Sequence, residues 1–188
     1  PDKWRKSISL PKFEGVTCLS ISANYPHKNF SIIPEVIRAL KKKHPEFKIR
    51  FVLTFSEKEL PVADDVKDCI LFVGRVDVSE CPYLYEQSDI MFMPTLLECF
   101  TATYPEAMRM GKPIVTTDLE FARGLCGDAA CYYSAVDPYA AAEALYNVAI
   151  NPDYAKQLVE NGRKQLNKYD NYEQRTEKLI GILEELAG

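Results

Sequence analysis

The sequence predicts an α/β fold in which a Rossmann-like parallel sheet carries helices on both faces. Short apolar runs of strand length alternate along the chain with segments whose apolar residues recur every three or four positions. The strand-like runs are largely apolar, without the strict alternation of a half-exposed strand, which is typical of parallel strands buried on both faces. Strands that alternate with helices in this way are joined by right-handed crossovers.

Six strands are expected, and several end at residues that commonly terminate strands. The first strand begins after Gly15, the third ends at Gly74, and the fourth is stopped by Pro94. The predicted strands are 16–22, 48–54, 70–73, 90–93, 114–116 and 130–133. Residues 1–14 are polar and contain two prolines, so we expect a lead-in there and a single domain over residues 15–188.

Six helices are expected between and after these strands. In the first helix, Phe30, Ile33 and Ile37 fall on one face, and three lysines lie near its end, where the helix dipole is negative. Gly111 is a natural C-terminal cap, and Asp137 followed by proline is a typical helix start. The predicted helices are 30–44, 80–87, 103–111, 138–150, 152–166 and 172–186.

Composition excludes several classes of function. Of the 188 residues, 47% are hydrophobic and 27% are charged, which is usual for a globular domain. The net charge of −4 is too acidic for a protein held on nucleic acid by charge, so we expect no nucleic-acid partner. No apolar run approaches the roughly 18 residues that a transmembrane helix needs, so we expect no transmembrane segment.

The cysteines and histidines predict neither a disulfide framework nor a metal site. The six cysteines are irregularly spaced, without a Cys-x-x-Cys pair, and there are only two histidines. We expect reduced and mostly buried thiols, Cys99 among them, in a cytoplasmic protein. The chain begins at Pro1 rather than at methionine, which we interpret as a fragment of a longer protein.

Ligands of parallel sheets bind beyond the carboxyl ends of the strands, which selects the loops 23–29, 74–78 and 94–103. Seven residues separate Glu98 from Glu106, and the helix start between them offers free N–H groups that suit a phosphate. Since carboxylates can accept two hydroxyls, the pattern predicts a ligand with phosphates between two sugars. The alternative is a Glu106 favoured by the helix dipole and a solvated Glu98. There is no G-x-G-x-x-G motif or P-loop, so a standard dinucleotide site is unsupported.

Several stretches resemble the family-four (group 1) retaining glycosyltransferases. The stretch ECFTATYPEAMRMGKPIV at 98–115 is similar to the E-x7-E signature of that family. Other stretches resemble its lysine-bearing loop, its nucleobase-side turn, the run before the signature and a downstream block. These are YPHKN at 25–29, FVGRV at 72–76, LYEQSDI at 84–90 with MPT at 93–95, and FAR at 121–123 with CGDAA at 126–130. The likeness covers about residues 15–187.

The resemblance implies a two-lobed GT-B enzyme, with this chain as the carboxyl-terminal lobe that binds a nucleotide-sugar donor without a metal or other cofactor. It implies catalytic roles for Glu98, which touches the donor sugar, and for Lys28, which neutralises the diphosphate. It places Glu106 at the ribose hydroxyls. Further donor contacts are implied for the backbone N–H groups of Phe100, Thr101 and Ala102, for Arg75 and Val76 at the base, and for Asn24 and His27 in the lysine-bearing loop.

Three positions depart from the family pattern. Asn24 stands where the family usually has an arginine, which leaves the diphosphate one cation short. Thr101 stands where many members have glycine, and Cys99 replaces a common serine. His27 either donates to a phosphate or shapes the tight loop beside Pro26.

The expected function is transfer of a sugar from a nucleotide-sugar to an acceptor hydroxyl, with retention at the anomeric carbon. The missing partner is an N-terminal lobe that binds the acceptor, so this chain alone is expected to bind donor without turnover. Peripheral association of the full enzyme with a membrane stays open. The alternatives are a non-catalytic interaction domain with the same fold and a lobe of a sugar-nucleotide epimerase.

Overall fold

A six-stranded parallel sheet forms the centre of the domain. The computed structural model describes residues 8–187. The strands lie in the order β3-β2-β1-β4-β5-β6, and each neighbouring pair is parallel. They are β1 (Val16–Ser20), β2 (Ile49–Leu53), β3 (Ile70–Phe72), β4 (Ile90–Met93), β5 (Ile114–Thr117) and β6 (Ala130–Tyr133). The predicted α/β Rossmann-like fold is confirmed.

Within the described residues, eight α-helices connect and cover the strands. They are α1 (Ile33–Lys43), α2 (Asp64–Lys67), α3 (Cys81–Glu86), α4 (Thr103–Arg109), α5 (Glu120–Cys126), α6 (Pro138–Ile150), α7 (Pro152–Leu166) and α8 (Tyr172–Ala187). The predicted cap of α6 is present, because the Asp137 carboxylate accepts hydrogen bonds from the N–H groups of Tyr139 and Ala140.

The order in which strands are added to the sheet reverses between β1 and β4, although these two strands are parallel. From β1 the chain proceeds to β2 on one side, and from β4 it proceeds to β5 on the other. Right-handed crossovers therefore place α1 and α4 on opposite faces of the sheet. α1 packs with α6, and α4 packs with α7, where a Cβ on Gly162 would lie 3.1 Å from Met108 Cγ. The reversal between β1 and β4 is the point at which such sheets open a ligand crevice.

The elements differ from the sequence prediction mainly at short helices and at strand ends. α2 and α5 were not expected, because α2 buries only Val66 and α5 buries only Ala122 and Cys126, too few to show a helical period. α1 begins three residues later than expected, because Asn29 has a left-handed φ of 56° and a 3-10 turn at Phe30–Ile32 precedes the helix. β1 is two residues shorter, because residues 21 and 22 already enter the loop.

The described part of the predicted lead-in lies against the domain. Residues 1–7, which include Trp4, lie outside the described residues. The N–H of Leu10 donates to Gln87 Oε1 at 2.8 Å, and Arg50 Nη1 donates to the carbonyl of Pro11 at 2.7 Å. The Arg50 guanidinium also lies 4.9 Å from the centre of the Phe13 ring. Residues 10–13 are therefore anchored, while the boundary at residue 14 stays a prediction.

The last helix packs differently from the others. None of the described side chains of α8 is buried, and Leu179, Ile182, Leu183 and Leu186 are all exposed. α7, by contrast, buries Leu158 and packs against α4. No helix among residues 8–187 combines the length and the apolar character needed to cross a membrane.

Candidate functional site

The loops that follow β1 and β4 meet at the reversal point of the sheet. The main-chain N–H of Leu96 donates to the carbonyl of His27 at 2.7 Å, and the hydroxyl of Thr95 donates to the same oxygen at 3.2 Å. Asn29, with its left-handed φ, turns the chain directly after Lys28. These contacts hold together two of the loops that the sequence predicts to bind a ligand, 23–29 and 94–103.

Lys28 and Glu98 form a buried ion pair between these loops. Lys28 Nζ contacts Glu98 Oε1, and 10% of each side chain is exposed. The hydroxyl of Thr95 lies 3.1 Å from the same carboxylate oxygen. Attraction between charges is stronger away from water, so the pair ties the loops together. The two residues expected to be catalytic are therefore in direct contact.

The loop between Glu98 and α4 presents free main-chain donors. Among residues 8–187, no acceptor is bonded to the N–H groups of Phe100, Thr101 and Ala102. The side chain of Thr101 is buried, with its hydroxyl 3.2 Å from that of Thr103, so it packs inward. Consecutive free N–H groups near a lysine favour an anion.

Glu106 lies in the first turns of α4, at the side of a mainly apolar cleft of about 410 Å³. The hydroxyl of Tyr85 donates to Glu106 Oε2 at 3.2 Å, while Glu106 Oε1 has no hydrogen-bond partner within the described part of the chain. The carboxylate thus has one anchored oxygen and one that is available to a ligand. The residues lining the cleft are Val78, Cys81, Pro82, Tyr85, Ala102, Pro105, Glu106, Arg109 and Met110.

A second cleft, of about 460 Å³, continues from the first toward the loop after β3. The two clefts share Val78 and Cys81 in their walls. Arg75 and Val76, which the family resemblance places at the base, line the second cleft. The residues expected at the ribose and at the base therefore border one continuous surface.

The two cysteines near the site, Cys81 and Cys99, differ in burial. Burial, followed by the charge of Glu106, raises the pKa of the Cys81 thiol to about 11, so it is protonated at neutral pH. Cys99 is exposed, and the expectation that its thiol is buried is wrong. The reason is that Cys99 lies on the irregular loop between Glu98 and α4, where none of the described elements covers it.

Two side chains that the resemblance places in the donor site, those of Asn24 and His27, make other contacts here. Asn24 Nδ2 donates to the carbonyl of Glu59 at 2.7 Å, in the loop after β2. The exposed ring of His27 stacks on Tyr25, with 5.7 Å between ring centres, and its carbonyl joins the loops. Phe100, for which the resemblance implies a contact through the main chain, has an exposed ring, and its N–H has no acceptor within residues 8–187. The sequence leaves two roles open to His27, donating to a phosphate or shaping the tight loop. The hydrogen bond that its carbonyl accepts from Leu96 is a contact of the second kind.

Comparison with known proteins identifies the family. The family model described as glycosyl transferases group 1 matches residues 2–165. The chain belongs to this family. It is 34% identical over 120 residues to a Haemophilus influenzae protein described as an uncharacterized glycosyltransferase, over 61% of this chain and 33% of that protein. It is 24% identical over 140 residues to the O-antigen chain mannosyltransferase RfbU of Salmonella typhimurium, over 72% of this chain and 39% of that protein.

Solved glycosyltransferase structures share the fold. A glycosyltransferase from Rickettsia africae superposes with a TM-score of 0.76 at 18% identity, over 94% of this chain and 49% of that one. At this identity the likeness shows the fold alone, and membership of group 1 rests on the family model. The chain spans between a third and two fifths of the curated relatives named above, and about half of the solved structure.

Two site residues of this group 1 domain were not singled out by sequence. Thr95 supplies the hydroxyl beside Glu98, and Tyr85 supplies the one beside Glu106. A sequence signal exists for Thr95, which directly follows Pro94, the proline that stops β4 at the ligand edge. Tyr85 gives no such signal, because its contact depends on how α3 packs against α4. Over residues 8–187, no group of three or more His, Cys, Asp or Glu side chains is placed to hold a metal ion.

Proposed function

We propose that this chain is the donor-binding lobe of a retaining glycosyltransferase, which moves a sugar from a nucleotide-sugar to an acceptor hydroxyl. One observation carries the proposal: the nine residues 98–106, after β4 and into α4, contain Glu98 in contact with Lys28, then the N–H groups at 100–102 and then Glu106, whose Oε1 and those N–H groups have no partner within residues 8–187. In this proposal Glu98 faces the donor sugar. Lys28 and the N–H groups face the diphosphate, and Glu106 faces the ribose.

Lys28 and the loop amides are suited to the diphosphate. The departing nucleoside diphosphate gains negative charge as the bond to the sugar breaks, and positively polarised groups already fixed in place lower the energy of that state. Lys28 and the N–H groups of Phe100, Thr101 and Ala102 supply this potential, and we propose that the reaction needs no metal. Ligand phosphate would share Lys28 with Glu98, because one ammonium group can donate three hydrogen bonds.

The two glutamates take different roles in this proposal. Glu106 accepts hydrogen bonds from the ribose hydroxyls through its open oxygen, and Arg75 and Val76 border the base. Glu98 orients the donor sugar. Because its charge is already balanced by Lys28, it is not the carboxylate nucleophile that a retaining glycosidase uses. Acceptor contacts then belong to the remaining part of the enzyme, and we propose that the protein acts in the cytoplasm.

Calorimetric titration of the 188-residue chain with UDP, GDP and ADP tests the proposal. We expect one nucleotide to bind, and Glu106→Ala to weaken it by about 10- to 100-fold, as for the loss of hydrogen bonds to a charged group. Glu160→Ala, an exposed glutamate of α7, is the matched control and should leave the affinity unchanged.

The outcomes separate the alternatives. Binding that is lost in Glu106→Ala and kept in Glu160→Ala supports a donor site. Absence of binding by the wild type to all three nucleotides refutes the proposal for this chain and favours an interaction domain. Sugar transfer by the chain alone would contradict the assignment of the acceptor site to another lobe.

A further inference from the structure

We propose that Tyr85 is a positioning residue for ribose recognition. By holding one oxygen of Glu106, it orients the other toward a ribose hydroxyl and so makes the site selective for ribonucleotides over deoxyribonucleotides. This inference rests on the proposed function, in which Glu106 binds the ribose.

The geometry places the Tyr85 hydroxyl between two acceptors at the start of α4. It lies 3.2 Å from Glu106 Oε2 and 3.3 Å from the carbonyl of Thr103. Its single hydrogen is therefore shared between a side chain and the main chain of one helical turn. Tyr85 joins α3 to the part of α4 that carries the ribose-binding carboxylate.

Burial makes Tyr85 a rigid support. The residue is 2% exposed, so its ring is held by packing and its hydroxyl occupies one place. A glutamate side chain otherwise loses rotamer freedom when it binds a ligand, and prior anchoring reduces that cost. Burial first, and then the Glu106 charge, raise the pKa of Tyr85 well above its ordinary value, so the hydroxyl remains a donor at neutral pH.

Selectivity for ribose over deoxyribose follows because the Glu106 carboxylate is polar while the cleft around it is mainly apolar. The cleft is mainly apolar, and Glu106 Oε1 has no partner within residues 8–187. A ribose hydroxyl supplies that partner, whereas a deoxyribose leaves a desolvated carboxylate oxygen unpaired. Sites built to pair with a hydroxyl reject ligands that lack it for this reason. A carboxylate free to swing away into water would reject them less strongly.

The test compares ribonucleotide and deoxyribonucleotide affinities of the 188-residue chain by calorimetry. The ligands are whichever of UDP, GDP and ADP binds and its 2′-deoxy and 3′-deoxy analogues. We expect the wild type to prefer the ribonucleotide over at least one analogue by about tenfold or more. In Tyr85→Phe, which keeps the ring, we expect that ratio to fall to about threefold or less.

Tyr104→Phe is the matched control, because Tyr104 is also fully buried but its hydroxyl bonds Thr116 in the core. It should keep the wild-type ratio. Tyr85→Met, which fills space without a hydroxyl, is a second variant should Tyr85→Phe fail to fold. In a Glu106→Ala background, Tyr85→Phe should have no further effect on the ratio.

The outcomes distinguish this inference from the proposal on which it rests. A wild type that binds and discriminates, with the ratio unchanged in Tyr85→Phe, overturns the role of Tyr85 alone. An equal loss of affinity for the ribonucleotide and its analogues also overturns it, because a merely structural residue acts in that way. No binding by the wild type refutes the proposed function, and this inference with it.

Discussion

Glu98 and Glu106 belong to one sequence motif, yet they lie in opposite surroundings. Glu98 is in a buried ion pair with Lys28, beside the hydroxyl of Thr95. Glu106 has one anchor, the hydroxyl of Tyr85, and opens on a mainly apolar cleft. The carboxylate of Glu98 is paired within the protein, whereas Oε1 of Glu106 has no partner among residues 8–187. One end of the site is therefore built around charge, and the other around the directed recognition of hydroxyls.

The largest expected difference between the two ends concerns folding stability. Lys28→Met leaves Glu98 buried without its counter-ion, so we expect the free energy of unfolding to fall by about 3 kcal/mol. For a domain of this size, that lowers the melting temperature by about 6–12 °C. Glu106→Gln should change the free energy of unfolding by less than about 1 kcal/mol, because the hydroxyl of Tyr85 can still donate to the side chain.

Thermal unfolding of Lys28→Met, Glu106→Gln and the double variant Lys28→Met/Glu98→Met measures this difference. The double variant should recover much of the lost stability, because it removes both charges. Equal stability losses in the two single variants would contradict the contrast.

A second difference, of intermediate size, concerns which part of a ligand each end recognises. Lys28→Met should weaken binding of the nucleoside diphosphate by about 10- to 100-fold, because it removes a charge-assisted contact. The affinity for the parent nucleoside should be unaffected. Glu106→Ala should weaken the binding of both ligands, because both carry the ribose.

Parallel titrations with the diphosphate and the nucleoside measure this specificity. Glu160→Ala serves again as the unaffected control. If Lys28→Met weakens binding of the nucleoside as much as binding of the diphosphate, the assignment of Lys28 to the phosphates is wrong.

The smallest expected effect is at Asn24, in the same loop as Lys28. Its amide serves the exposed carbonyl of Glu59. We expect Asn24→Ala to change both the free energy of unfolding and the nucleotide affinity by less than about 0.5 kcal/mol. Melting temperature and calorimetry on one preparation are sufficient. A clear loss of nucleotide affinity would show that the amide turns from Glu59 to the ligand.

Sequence was sufficient where one local pattern determined the structure. The apolar run at Ile90–Met93 is buried throughout, and Asp137 caps α6 as its residue type predicts. Local patterns failed where packing between distant segments decided the outcome. α5 carries too few buried residues to show a period, and Tyr85 reaches Glu106 only because two helices are adjacent. The resemblance places Asn24 where the family has an arginine, but the contact of its amide with Glu59 depends on the loop that follows another strand.

The bond between the two loops has a consequence for evolution. It uses the carbonyl of His27 and the N–H of Leu96, which every residue type provides, except that proline lacks the N–H. Side chains at these two positions are therefore free to diverge while the junction is inherited unchanged. Position 28, one step along the chain, has no such freedom. A library of single substitutions should show broad tolerance at 27 next to strict selection at 28, a sharp boundary between neighbours.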